Sequence, residues 1–64
     1  MAKKIIVKNG YVKVVFYAMV DNKKVKSGEA SVQGEYCEIP INPEYVDFEI
    51  VDKSPGVEIK VVEE

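Results

Sequence analysis

The chain contains no leucine; twelve valines and six isoleucines carry most of its apolar character. β-Branched side chains are stiff about χ1 and pack well on a pleated surface, so their dominance points to sheet and away from helix. Glycine, proline and asparagine punctuate the chain at short intervals, and no segment repeats its apolar residues at helical spacing. The pattern predicts an all-β fold, a small antiparallel sandwich or barrel of five to six short strands linked by tight hairpins. With 64 residues, positions 1–64 read as a single β domain. A domain this small buries only about 60% of its unfolded surface, so it needs a dense core or a second copy.

Local signals set an expected register. Asn9-Gly10 is a favoured type I′ pair, because both central residues of that turn need positive φ. A two-residue turn there places Val7 opposite Val12 and Ile5 opposite Val14, with Phe16 on the same inward face. Asp21-Asn22-Lys23-Lys24 predicts the next turn, centred on Asn22-Lys23, with Val20 opposite Val25. Strict alternation beyond it would bury Glu29. One extra residue near Ser27-Gly28 instead turns Glu29 outward and brings Ala30 and Val32 in, with Tyr17 covering the bare backbone of Gly28. Gln33-Gly34-Glu35 reads as a third turn. In the strand that follows, Cys37, Ile39 and Ile41 face inward, and Pro40 marks an edge or bulged strand that Asn42-Pro43 ends. A last hairpin spans Val46 to Val62 around Lys53-Ser54-Pro55-Gly56, with Ile50 opposite Ile59, Phe48 opposite Val61 and Glu49 meeting Lys60.

The side-chain inventory narrows the chemistry. The chain has neither histidine nor arginine, so the usual general base and the bidentate phosphate clamp are missing. Cys37 stands alone, without a disulfide partner or an activating histidine, on an Ile-bearing face; it reads as a small buried apolar side chain. Ser27, Ser31 and Ser54 have no Ser-His-Asp arrangement. Asp47, Glu49 and Asp52 lack the glycine-bearing loop of a calcium site and read as a solvated face. The expectation is a protein that is not an enzyme and uses no cofactor or metal. No apolar run approaches the ~20 residues of a membrane helix, and the absence of a disulfide framework makes a reducing, cytoplasmic setting the default.

Charge is segregated. Met1 to Lys26 holds seven lysines against Asp21 alone, whereas the remainder holds two lysines against ten acidic residues, for a net charge of −2. Two readings fit: basic strands lying beside acidic ones within one molecule, or head-to-tail attraction between copies.

The candidate site is the second face of the predicted first hairpin. Ile6, Tyr11, Val15, Tyr17 and Met19 form an apolar group there, edged by Lys4, Lys8 and Lys13. A long strand that bends can bury both faces in different layers. The alternative is an exposed patch for a partner, since monomers seldom leave large apolar patches in water. Ile6, Tyr11, Lys13, Val15, Tyr17 and Met19 are therefore the expected partner-binding residues.

"GYVKVVF" at Gly10–Phe16 resembles the ring-presenting strand motif of cold-shock and RRM domains, and "VDFEIVDKSPG" at Val46–Gly56 resembles a late strand and turn of cold-shock proteins. Gly10, Tyr11 and Phe16 match, while Lys13 stands where a second ring is needed. The likeness covers roughly a third of the chain and implies stacking of single-stranded bases. The leading expectation is a non-catalytic protein–protein interaction or structural module that self-associates. The alternative is an OB- or cold-shock-like binder of single-stranded nucleic acid with low specificity. A third reading is an accessory subunit that blocks an enzyme with its sheet edge.

Overall fold

A computed structural model describes residues 3–63. It is all-β, with four strands: β1 (Lys3–Val20), β2 (Lys23–Ile41), β3 (Tyr45–Lys53) and β4 (Glu58–Glu63). All pair antiparallel to β1, in the order β2-β1-β3, with β4 on the same edge of β1 as β3. The expected five to six short strands are thus four, two of them 18 and 19 residues long. The sheet is open rather than a closed barrel or a sandwich of separate sheets. Its two edges are β2 on one side and β3 followed by β4 on the other.

The difference arises at Asn9-Gly10. The pair does not reverse the chain, and Val7 does not face Val12; β1 runs straight through it. Val7 lies opposite Cys37 and Ile59, and Val12 lies opposite Val32 and Lys53. Val7 and Val12 are both fully buried, yet five residues of regular strand would put them on opposite faces. Asn9 resolves this with φ 59°, and Gly34 on β2 does the same with φ 149°. The β1–β2 register is the same before and after this level, so both strands turn one corner together. Gln33-Gly34-Glu35 is part of that corner, not a turn.

A straight strand of 18 residues would reach about 60 Å, but the longest dimension of the molecule is 38 Å. The ends of β1 are also brought together. Ile41 pairs with Lys3, Tyr45 pairs with Ala18, and the four steps from Ile41 to Tyr45 span at most ~14 Å. The sheet therefore folds over its own inner face. One cluster forms there from Ile5, Val7, Val12, Val14, Phe16 and Ile39, with Ala30, Val32, Cys37, Phe48, Ile50 and Ile59 packed against it.

The single tight hairpin is at Asp21-Asn22, both residues with positive φ, placing Val20 opposite Lys23 and Ala18 opposite Val25. That is one residue earlier than expected. The predicted bulge is present: Phe16 faces Gly28 and Tyr17 faces Lys26, leaving Ser27 as the extra residue. Glu29 is exposed and Ala30 and Val32 pack inward, as expected. The residue over Gly28 is Tyr45, not Tyr17. Its ring stacks on Phe16 at 4.9 Å, and its hydroxyl would lie 2.7 Å from a Cβ at position 28. Pro40 sits on an edge strand that stops at Ile41, again as expected.

The last hairpin does not form. β3 and β4 lie end to end along β1, so Ile50 faces Val14 and Ile59 faces Val7, and Lys60 faces Ile6 rather than Glu49. Ser54 to Val57 join β3 to β4 at the level of the β1 corner, against Tyr11 and Gly10. A Cβ on Gly10 would come within 2.8 Å of the Val57 Cβ, so glycine is what lets this loop cross so closely. Two further bulges leave Val51 and Val46 as extra residues on β3, and both are exposed.

Candidate functional site

The corner divides the expected patch. Tyr11, Lys13, Val15 and Tyr17 share the outward face of the later half of β1, where alternation puts them opposite Val12, Val14 and Phe16. Ile6 faces outward on the earlier half, and Met19, two residues beyond Tyr17, continues the later face to the hairpin tip, opposite Lys24. Ile6 thus lies across the corner from the other five.

On the later face, Val15 is only 6% exposed. Glu29 flanks it from β2 and Glu49 from β3. The Tyr17 hydroxyl donates to Glu49 at 3.4 Å, and Lys24 Nζ lies 5.3 Å from the Tyr17 ring centroid while bonding Asp47 at 2.9 Å. Lys13 faces Ser31 and Asp52. The lysines of the first half thus lie beside the acids of the second, which is the intramolecular reading of the charge layout. Hydrogen bonding to Asp47 raises the Lys24 pKa, and the same contact, with the Phe48 amide, lowers that of Asp47. Lys26 lowers the Glu29 carboxyl in the same way.

On the earlier half, Ile6 floors a shallow concavity of about 370 Å³ lined by Lys8, Tyr36, Glu58, Ile59 and Lys60. Tyr36 donates to Glu38 at 2.7 Å, and Lys4 pairs with Glu38 at 3.1 Å. These two contacts lower the Glu38 pKa, and the Tyr36 hydroxyl is correspondingly raised. At the hairpin tip Met19 is exposed on the outward side, and Val20 and Val25 are exposed on the opposite side.

Pro40 pointed to an edge strand, but not to an edge running the whole of a 19-residue β2. Among the described residues β2 pairs only with β1, so alternate backbone groups along its other side point to solvent. Charge and irregularity guard both ends: Lys23, Lys24, Lys26 and the Ser27 bulge at one, and Glu35, Glu38 and Pro40 at the other. Between the bulge and the corner, Gly28 to Gly34 carries a single charge, Glu29. The same strand lines the open mouth of the core, a groove of about 580 Å³ with Gly28, Ala30, Ile39 and Ile41 along it. The length of that edge follows from the pairing of β2 with β1, which joins residues far apart in the chain.

Cys37 lies half-buried on the inner face, against the core. Comparison with protein-family models, with curated proteins and with solved structures finds no match.

Proposed function

We propose that the protein is a non-catalytic interaction or structural module that self-associates. The observation that carries this reading is the open sheet, whose 19-residue edge strand β2 has a regular, nearly uncharged middle. Native proteins blunt such edges with charges, proline and bulges, and here all of these but Glu29 lie at the ends of β2. Exposed Met19, Val20 and Val25 at the adjoining hairpin tip add apolar surface that solvent does not favour. The test is the mass in solution by light scattering and native mass spectrometry. A dimer or larger assembly is the expected result, and a monomer at high micromolar concentration overturns the reading.

A second reading, weak binding of single-stranded nucleic acid, has one observation in its favour: Tyr11, Lys13 and Tyr17 share one outward face. Glu29, Glu49, Asp47 and Asp52 flank that face on both sides, and their repulsion of phosphate weighs against it. A fluorescence titration with oligo-dT at low salt decides it, because saturable, salt-sensitive binding is the outcome this reading requires.

A further inference from the structure

We infer that the docking surface is the Gly28–Gly34 edge of β2, and that its occupant is a second copy of the chain, paired antiparallel about a two-fold axis at Ser31. This rests on the self-association proposed above and names the surface and register that would carry it. Antiparallel pairing of identical edges about a perpendicular two-fold axis requires each residue to face one on the same side of the sheet. Centring on Ser31 meets that condition throughout. Ala30 of one copy faces Val32 of the other, both inward; Glu29 faces Gln33, both outward; and Gly28 faces Gly34. "GEASVQG" is thus close to a palindrome in side-chain size, with its glycines at the two irregularities that bound the regular segment.

Charge supports this register and disfavours the one centred on Val32. β2 begins with Lys23, Lys24 and Lys26 and ends with Glu35 and Glu38. Two antiparallel copies therefore set a basic end against an acidic end twice. With Ser31 at the axis, Lys24 lies opposite Glu38. Moving the axis one residue to Val32 sets Glu29 against Glu35, and directly opposed like charges destabilise a ladder. The opposite edge of the sheet competes poorly. β3 is broken by the Val46 and Val51 bulges, and β4 carries Glu58, Lys60 and Glu63 in six residues.

The experiment is register-specific cross-linking in the full chain with Cys37→Ser, followed by mass measurement. Opposed residues of an antiparallel pair have Cα atoms about 4.5–5.5 Å apart, which is within disulfide range. Under oxidised glutathione, Ser31→Cys should form a covalent dimer at least about tenfold faster than Gln33→Cys, whose two copies would be four residues out of register. Pairing Glu29→Cys with Gln33→Cys in one chain should restore fast cross-linking. Ser31→Lys, at an exposed position, should give a monomer with an unchanged circular dichroism spectrum and an unfolding midpoint that, unlike the wild type's, does not rise with protein concentration. Equal rates for Ser31→Cys and Gln33→Cys, or an assembly that survives Ser31→Lys, overturns this edge while leaving self-association standing. A monomeric wild type removes both.

Discussion

Ser54 is hydrogen-bonded twice to Tyr11: its amide donates to the Tyr11 carbonyl at 2.9 Å, and its hydroxyl accepts from the Tyr11 amide at 2.8 Å. These two bonds replace the ladder at the point where β3 leaves β1 and β4 has not yet joined it. Without the hydroxyl, the partly buried Tyr11 N–H loses its acceptor. Ser54→Ala should cost about 1–2 kcal/mol, with no change in the slope of a urea unfolding curve.

Gly10 is held to its identity by the same crossing. A methyl group there meets the Ser54 hydroxyl, which cannot withdraw without releasing the Tyr11 amide, and the Val57 side chain, which packs against the core. Gly10→Ala should therefore destabilise by about 2–3 kcal/mol, the range of overpacking, despite the gain alanine brings through the unfolded state. Chemical denaturation measures it directly.

Gly28 is different because its neighbour is a side-chain end. The Tyr45 hydroxyl occupies the space a Cβ would need, while the ring carbon bearing it would be 3.4 Å away. Gly28→Val should destabilise by more than the ~1 kcal/mol span of strand propensity. Gly28→Ala should be partly rescued by Tyr45→Phe, which removes the hydroxyl and keeps the stack on Phe16. A double-mutant cycle with no coupling between the two sites would show that Tyr45 is not what fills the space.

Val15 faces outward yet is buried, so its substitution should report on folding rather than on association. Val15→Ala should cost about 2 kcal/mol from two lost methyl groups and the space they leave. Val15→Lys should unfold the chain instead of dispersing an assembly. A folded, monomeric Val15→Lys protein would restore the exposed-patch expectation.

The Lys24–Asp47 pair sets a direction for pH. The Asp47 carboxyl lies below its ordinary value of 3.8 because Lys24 and the Phe48 amide bond its ionised form. Its contribution is therefore complete above that ordinary value and is lost as pH falls through the lower folded one. Glu29 and Glu38, held below 4.5 by Lys26 and by Tyr36 with Lys4, act in the same sense. The melting temperature should fall below about pH 4.5, and Lys24→Met should flatten the most acidic part of that fall. Both groups of the Lys24–Asp47 pair are solvent-accessible, so added salt should reduce the difference between wild type and variant.

Much of the inward face was legible in the chain. Ile5, Val7, Val12, Val14 and Phe16 were expected together, and they are together. The Ser27-Gly28 bulge was legible too, because an unpaired carboxylate at Glu29 makes the unbulged register costly wherever the strand pairs. Burial and charge are properties of a few neighbouring residues, so the sequence alone determined them.

The strand connections were decided only by tertiary structure. Positive φ at Asn9 serves a two-residue hairpin and a corner in a continuous strand equally well. Both arrangements also turn Val7 and Val12 to the same face. The same ambiguity holds at Ser54-Pro55-Gly56, where a hairpin and an end-to-end step from β3 to β4 bury Ile50 and Ile59 alike. What separates them is β2, which pairs with β1 on both sides of the corner in one register from Lys3 to Phe16. That pairing joins residues up to 38 positions apart, Lys3 with Ile41. Its many long-range bonds outweigh one local turn preference, and no window of neighbouring residues contains them.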